Sequence, residues 1–190
     1  MINIGVLGST KGTDLQAILN AIEERIIDAS IKIVISNKEN ALILKRAKDH
    51  KVNFKYISHF NKTRKDFDKQ VSDCLEENNV ELILLIGFMR ILSNDFCQHW
   101  QDKILNVHPS LLPKYAGGMD TNVHEQVLIN GDKKTGCTIH FVTEEIDGGP
   151  ILVQKSCLVD PNDNVDTLKQ KVQALEGKAF IEAINLITNK

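Results

Sequence analysis

The chain has 190 residues, of which 42% are hydrophobic and 25% are charged, and its formal net charge is −2. This length suits a single folded domain, expected over residues 1–190, with enough apolar residues for a full core. The balanced charge excludes the strongly basic surface typical of proteins that bind nucleic acid or anionic membranes. We therefore expect small molecules, and neither nucleic acid nor membrane, as partners.

The chain carries no signal for export or membrane insertion. No apolar run approaches the roughly 18 residues of a transmembrane helix, and the first residues lack the basic stretch and cleavage site of a signal peptide. A cytoplasmic location is therefore expected. The four cysteines form no C-x-x-C pair, so we predict no metal site and expect buried or half-buried thiols. These cysteines are Cys74, Cys97, Cys137 and Cys157.

Strand-like apolar runs alternate with segments of helical period over the first half of the chain. In chain order, the predicted elements are a strand over 2–7, a helix around 15–22, a strand over 31–35, a helix over 40–50, a short strand over 54–57, a helix from Thr63 to about 79, a strand over 82–86, a helix after Ser93 and a strand over 104–107. This order predicts an α/β fold with an open, doubly wound, mostly parallel, Rossmann-like sheet.

The pattern changes after His108. Residues 109–120 are predicted to form a long loop, followed by a helix near 123–129 and strands over 137–142 and 151–158. We expect these strands to pair as a hairpin around Gly148-Gly149, and a C-terminal helix to follow over 165–188. Ligands of open α/β sheets bind outside the carboxyl ends of the parallel strands. We therefore expect residues 8–14, 87–92 and 108–120 to meet at one edge of the sheet.

Two of these segments have features of ligand-binding loops. Residues 8–14 join a strand to a helix, where main-chain N–H groups and the helix dipole can hold a phosphate, although the first turn of any doubly wound protein has a similar composition. Gly87 allows close approach of a ligand, and Arg90 suits a carboxylate or phosphate. The structural alternative is a strand end that enters the core, with Arg90 on the surface.

The third segment supplies acid–base chemistry. His108 is suited to proton transfer near neutral pH, a carboxylate such as Asp147 would favour its charged form, and Asn106 can donate to a developing oxyanion. The alternative is a histidine that caps a loop and an aspartate that orders a turn. His140 is a competitor, more simply explained by buried hydrogen bonding. The Gly-x-Ser-x-Gly pattern of a nucleophile elbow is absent, which favours direct attack of one substrate on another.

Taken together, these segments resemble the phosphoribosylglycinamide formyltransferase family, the folate-dependent enzymes of purine synthesis. The resemblance extends from Ile2 to about Ile187. Its landmarks, in order, are residues 8–16, 36–38, 87–92, 106–115, 130–132 and 140–150. It implies transfer of the formyl group of 10-formyltetrahydrofolate to glycinamide ribonucleotide, by direct attack and without a metal, in a monomer or a homodimer.

The resemblance also implies three groups of site residues. The catalytic group is Asn106, His108 and Asp147. The group expected to bind the phosphate and ribonucleotide is Lys11, Gly12, Thr13, Asp14, Gln173 and Glu176. The group expected to bind the folate is Arg64, Met89, Arg90, Ile91, Leu92, Asn106, Thr143, Glu144, Glu145, Ile146 and Asp147.

The chain departs from the commonest family pattern mainly at the ribonucleotide end. Thr10-Lys11 replaces a smaller, glycine-containing pair, and Asp14 replaces asparagine. Gly177 follows Glu176 where histidine is frequent, and the loop over 116–122 is slightly longer than in the shortest members. Lys11 could attract a phosphate, whereas Asp14 would repel one unless its oxygen capped the helix.

Several other functions remain open at this point. A formyltetrahydrofolate hydrolase would use the same Asn-His-Asp set but usually has a preceding regulatory domain, and a transfer-RNA formyltransferase would have a following RNA-binding domain. A sugar-nucleotide formyltransferase is compatible with the altered ribonucleotide segment. A non-catalytic nucleotide-binding module is disfavoured by the intact catalytic set, and a nicotinamide-dependent dehydrogenase by the missing glycine fingerprint.

Overall fold

The computed structural model describes residues 1–118 and 121–189, without the side chain of Thr121. In chain order, its elements are β1 (Ile2–Gly8), α1 (Thr13–Glu23), β2 (Ala29–Ser36), α2 (Leu42–Asp49), β3 (Phe54–Tyr56), α3 (Arg64–Glu77), β4 (Leu82–Ile86), α4 (Asn94–His99), β5 (Ile104–His108), α5 (Thr121–Ile129), β6 (Lys134–Phe141), β7 (Ile151–Leu158) and α6 (Val165–Thr188).

The strands form one seven-stranded sheet in the order β3-β2-β1-β4-β5-β6-β7. The first five in this order pair in parallel, whereas β6 pairs antiparallel with both β5 and β7. The predicted doubly wound, mostly parallel α/β sheet with a C-terminal helix is confirmed, and so is the hairpin around Gly148-Gly149.

Alternate residues of each strand point to opposite faces of the sheet, so both faces carry apolar side chains. Each face is covered by helices. One apolar core contains Leu105 and side chains of α1, α2 and α6, and the other contains Ile104 and side chains of α3 and α4. Asn106 and His108 share the face of Ile104. The alternation along β5 therefore directs both candidate catalytic side chains to the α3 and α4 side.

Three helices begin with a capping side chain. The side-chain oxygens of Thr63 and Ser93 accept hydrogen bonds from the N–H groups of Asp66 and Phe96, at the first turns of α3 and α4. Asn164 forms a reciprocal capping box with Thr167 at the start of α6. These bonds satisfy N–H groups that have no partner within the helix.

The helices α1 and α6 pack against each other at Gly177, a position where the chain departs from the pattern of the family that it resembles. A Cβ atom on Gly177 would lie 2.6 Å from the Cβ of Ala17, which is too close for two carbon atoms. Glycine at position 177 therefore permits the observed separation of the two helices, and a histidine there would push them apart.

A few predicted boundaries were wrong. The second helix begins at Leu42 instead of residue 40, and β6 begins at Lys134 instead of residue 137. α5 begins at Thr121, so the expected loop over 116–122 is shorter than predicted, and residues 119–120 lie outside the described residues. No helix within the described part of the chain is both long and apolar enough to cross a membrane.

Candidate active site

Four polar side chains meet beyond the carboxyl end of β5. Nδ1 of His108 lies 3.2 Å from Oδ2 of Asp147, and Nε2 of His140 lies 3.5 Å from Oδ1 of the same carboxylate. Nδ2 of Asn106 lies 3.2 Å from Nε2 of His140. Both histidines are 2% exposed. The structure therefore brings the predicted Asn106, His108 and Asp147 together and adds His140 to them.

Asp147 is held as a carboxylate by its surroundings. Burial raises its pKa, but contacts with the rings of His108 and His140 and a hydrogen bond from the main-chain N–H of Gly117 lower it by a larger amount, to well below its usual range. The Gly117 nitrogen lies 2.8 Å from Oδ2. Asp147 has a φ of 53°, in the left-handed region that few non-glycine residues adopt. A strained backbone thus presents a charged carboxylate to two histidines.

The partners of His140 define its most consistent tautomer. Nδ1 lies 2.9 Å from the main-chain carbonyl oxygen of Phe141, which can only accept, so Nδ1 carries hydrogen. In the neutral ring, Nε2 then accepts from the amide of Asn106. This leaves the second amide hydrogen of Asn106 available to a ligand, so the expectation that His140 is a buried, hydrogen-bonded residue is compatible with a place in the site.

Both ring nitrogens of His108 face oxygen atoms. Nδ1 faces the Asp147 carboxylate, and Nε2 lies 3.0 Å from the main-chain carbonyl oxygen of Tyr115. A histidine satisfies two acceptors only when both nitrogens carry hydrogen, so this geometry fits the imidazolium. The contact with Tyr115 also means that His108 caps a loop. His108 therefore has both the carboxylate contact expected of an acid–base residue and the main-chain contact expected of a histidine that caps a loop.

The expected folate segment lies beside the first turn of the chain, as predicted for adjacent parallel strands. The main-chain N–H of Ser9 donates to the Gly87 carbonyl oxygen at 3.1 Å, and the hydroxyl of Ser9 accepts from the N–H of Met89 at 3.0 Å. That hydroxyl donates to Asn37 at 2.6 Å. Ser9 lies within the predicted segment 8–14, but its link to residues 87–89 was not predicted, because a buried serine in a turn carries no distinctive pattern.

The side chains of this segment differ in exposure. The guanidinium carbon of Arg90 lies 4.5 Å from the centre of the Phe67 ring, and Arg90 is half-buried, so the alternative that placed it on the surface was wrong. Met89 and Ile91 are 41% and 55% exposed, Leu92 belongs to the core, and Arg64 is exposed. Exposed apolar side chains beside a fixed cation would suit an aromatic ligand with an acidic group.

The second expected folate segment, residues 143–147, connects β6 to β7. The Thr143 hydroxyl donates to the main-chain carbonyl oxygen of Glu145 at 3.3 Å, and the Gln98 amide donates to Glu144. Ile146 is 55% exposed. Of these residues, only Asp147 contacts the cluster around His108.

The expected ribonucleotide segment lies at the start of α1. Gly12 precedes the helix with a φ of 66° and no side chain caps the first turn, so its N–H groups have no side-chain partner there. Lys11 and Thr13 are exposed, whereas Asp14 is 5% exposed. Burial raises the pKa of Asp14 to about 7. Asp14 does not cap the helix, which removes the condition under which we expected it to tolerate a phosphate.

The two carboxylates of the ribonucleotide group lie near one buried thiol. Cys137 of β6 has its pKa raised to about 12, mainly by burial and then by the charges of Glu176 and Asp14. Glu176 is 8% exposed and Gln173 is half-buried on α6. The structure thus brings residues of α1 and α6 to the same region, on the opposite side of the sheet from His108. All four cysteines are buried or half-buried free thiols, as expected.

Comparisons with known proteins identify the family. A family model described as formyl transferase matches residues 2–184. A trifunctional purine biosynthetic protein adenosine-3 from Gallus gallus is 42% identical over 189 residues, which are 99% of this chain but only 18% of that protein. A phosphoribosylglycinamide formyltransferase from Escherichia coli strain K12 is 38% identical over 180 residues, which are 94% of this chain and 84% of that protein. A glycinamide ribonucleotide transformylase 1 from Symbiobacterium toebii has a crystal structure that matches with a TM-score of 0.95 and 37% identity, covering 100% of this chain and 88% of that one. The chain therefore belongs to the formyl transferase family, and within it to the phosphoribosylglycinamide formyltransferases.

Proposed function

We propose that the protein transfers the formyl group of 10-formyltetrahydrofolate to the amine of glycinamide ribonucleotide, a step of de novo purine biosynthesis. The observation that carries this proposal is the contact of one carboxylate, Asp147, with a histidine whose two nitrogens both face acceptors. The amide of Asn106 lies beside them. This arrangement supplies an oxyanion donor and a proton donor in one place.

The first step is attack of the neutral amine on the formyl carbon. The nitrogen lone pair forms the new C–N bond, and the electrons of the carbonyl double bond move onto oxygen. We assign stabilisation of this oxyanion to the free amide hydrogen of Asn106 and to an N–H of His108, because fixed donors aimed at developing charge lower the barrier. Holding both substrates together contributes further.

The second step is collapse of the tetrahedral intermediate. The oxyanion re-forms the carbonyl bond, the bond to the folate nitrogen breaks, and that nitrogen takes a proton from His108. The attacking amine loses one proton, which returns to His108 and restores the proton donor, so the overall reaction neither consumes nor releases protons. Asp147 acts by orienting the His108 ring through its contact with Nδ1.

We place the two substrates at the two segments described above. The folate would contact Met89, Arg90, Ile91, Leu92 and Arg64, and residues 143–147 on the other side. The ribonucleotide would contact Lys11, Gly12 and Thr13 of the first turn, with Gln173 and Glu176 from α6. The main support is that the uncapped first turn and the half-buried Arg90 are each suited to an anionic group.

Both substrates are small and soluble. The proposed reaction therefore needs neither nucleic acid nor a membrane, and we place it in the cytoplasm, in a monomer or a homodimer, without a metal ion. Among the described residues, no group of three or more His, Cys, Asp or Glu side chains is arranged to hold such an ion.

A second candidate acceptor is a sugar-nucleotide amine. It is favoured by one observation: a buried carboxylate, Asp14, stands beside the expected phosphate position. A carboxylate there opposes a phosphate dianion when it is charged. The same donor and the same catalytic residues would serve this acceptor.

The deciding experiment mixes the purified protein with 10-formyltetrahydrofolate and follows folate release by absorbance, with and without glycinamide ribonucleotide. Release that requires the ribonucleotide supports the proposal. Release without it would identify a hydrolase, and release only with a sugar-nucleotide amine would identify the second candidate. Folate binding without release under all three conditions would identify a binding module.

We expect His108→Ala to lower turnover by roughly 10²- to 10⁴-fold, the usual contribution of one acid–base group. His99→Ala is the matched control, since His99 is an exposed histidine bonded to Glu76 on α3. Unchanged turnover in His108→Ala would remove this residue from the mechanism.

A further inference from the structure

The main-chain carbonyl oxygen of Tyr115 forms a hydrogen bond with the ring nitrogen that His108 would otherwise direct at its substrate. Nδ1 of His108 is directed at Asp147, so Nε2 is the nitrogen left for chemistry, and it lies 3.0 Å from the Tyr115 carbonyl oxygen. One N–H group cannot be directed at the carbonyl and at a substrate atom at once. The Tyr115 carbonyl and the substrate are therefore alternative partners of His108.

The side chain of Tyr115 is held in position by hydrogen bonds at its hydroxyl group. Its hydroxyl donates to Oδ2 of Asp132 at 2.9 Å and accepts from the amide of Asn130 at 2.8 Å. Lys114 contacts the same carboxylate at 2.9 Å. Hydrogen bonds from Lys114 and Tyr115 lower the pKa of Asp132. Asp132 follows α5, and its side chain is 15% exposed. Its carboxylate is thus a charged anchor for the Tyr115 hydroxyl.

The main chain at Tyr115 needs such an anchor. Tyr115 has a φ of 61°, a left-handed conformation that is strained for an aromatic residue. Two residues further on, the N–H of Gly117 donates to the Asp147 carboxylate. The turn over residues 115–117 therefore contacts both His108 and Asp147.

We propose that Asp132 is a positioning residue for His108, which it controls by holding Tyr115 so that the Tyr115 carbonyl is the resting partner of His108 Nε2. This role rests on the proposed function, since it assumes that His108 must turn to a substrate. Asp132 does not contact the cluster itself. It determines how readily the Tyr115 carbonyl releases Nε2 of His108 when a substrate binds.

The experiment measures how fast diethyl pyrocarbonate modifies His108 in the protein without substrates, by mass spectrometry of the peptide that contains it. The variants are Tyr115→Phe, which removes only the anchored hydroxyl, and Asp132→Ala, which removes the anchor. Lys114→Met is the control, because it breaks only the ion pair of a lysine whose side chain is 64% exposed. We expect His108 to react at least fivefold faster in the first two variants than in the wild type and in the control.

Kinetics provide the second readout. If the carbonyl must leave before the substrate engages, Tyr115→Phe raises kcat/KM mainly by lowering KM. Unchanged modification rates in both Tyr115→Phe and Asp132→Ala overturn the proposal. So does a loss of kcat as large as that of His108→Ala, because the carbonyl would then be required in the reacting complex. The modification rates need no substrate, so a failure of the proposed function leaves that readout intact.

Discussion

At the scale of single residues, Asp147 joins three parts of the chain that are distant in sequence. Its carboxylate contacts His108 at the end of β5, His140 on β6 and the N–H of Gly117. Burial raises the pKa of Asp147, but these contacts lower it by a larger amount. A carboxyl whose folded pKa is depressed stabilises the fold above its unfolded value, and that stabilisation is lost as the pH falls through the folded value. Asp147 therefore remains charged at every pH at which the protein would be assayed.

We expect Asp147→Asn to lower kcat by on the order of 10²-fold. The amide presents no full negative charge to Nδ1 of His108, so it no longer makes the charge-assisted hydrogen bond that orients the ring. The measurement is kcat of the variant and of the wild type under the same conditions. Asp163→Asn is the control, because the pKa of Asp163 is also lowered, by Lys171, away from the cluster. An unchanged kcat in Asp147→Asn, or an equal loss in Asp163→Asn, would argue against the pairing.

Asp14 should make the stability of the protein depend on pH in the opposite sense. Burial raises its pKa from 3.8 to about 7. The folded state therefore binds this proton more tightly than the unfolded state, and stability falls as the pH rises from about 4 to about 7. Asp14→Asn keeps the size of the side chain and removes the charge. We expect the free energy of unfolding of the variant to exceed that of the wild type by an amount that grows by on the order of 2 kcal/mol between pH 5 and pH 7.

Urea denaturation of both proteins at each pH measures this difference. Because all other groups are shared, the difference between the two proteins isolates position 14. A difference that stays constant from pH 5 to pH 8 would mean that Asp14 titrates normally.

The residues that a sequence can reveal are those whose side chains carry the chemistry. Asn106, His108 and Asp147 were predicted because an amide, an imidazole and a carboxylate have few joint uses. The Tyr115 carbonyl and the Gly117 N–H were not predicted, because main-chain groups are the same in every residue. Their positions depend on a left-handed φ at Tyr115, a residue type for which such a conformation is rare.

At the scale of elements, the contact between α1 and α6 depends on Gly177. We expect Gly177→Ala to destabilise the protein by about 1–3 kcal/mol, since overpacking against Ala17 outweighs the gain in helix propensity. The measurement is the free energy of unfolding in urea. The matched control is the double variant Ala17→Gly/Gly177→Ala, in which the clash is absent. If the effects of the two substitutions on the free energy of unfolding were additive, the close approach of the helices would not be the cause of the destabilisation.

Most elements could be predicted because local patterns and packing agree. β4 and β7 were predicted with their observed bounds, since an unbroken apolar run and a run after a glycine turn are both strong signals. The start of β6 was misplaced because Lys134 and Gly136, which follow an Asn-Gly-Asp turn, have low strand propensity. Pairing with β7 overrides that propensity, and Gly136 admits the main chain of Lys155 at close range.

At the scale of the whole molecule, the two proposed substrate regions are separate groups of side chains that meet where the first turn contacts Gly87 and Met89. Ligands that bind only the folded state raise its stability, by about 2.7 kcal/mol at a hundredfold excess over Kd. We expect Arg90→Met to reduce the stabilisation by an unreactive folate analogue and to preserve that by glycinamide ribonucleotide. Lys11→Ala should do the reverse. Thermal unfolding with each ligand separately measures both effects, and equal losses for both ligands in either variant would contradict the assignment of the two regions.

The packing of α1 against α6 has a consequence for the order in which the protein matures. A chain emerging from the ribosome presents its amino-terminal elements first. Asn106, His108, His140 and Asp147 all precede β7, whereas Glu176 joins Asp14 only when α6 returns to α1. The proposed catalytic residues can therefore assemble before the proposed ribonucleotide region is complete. Until α6 has been synthesised, the part of α1 that packs against it remains uncovered, and a nascent chain stalled before α6 would offer that surface to chaperones or to other unfinished chains.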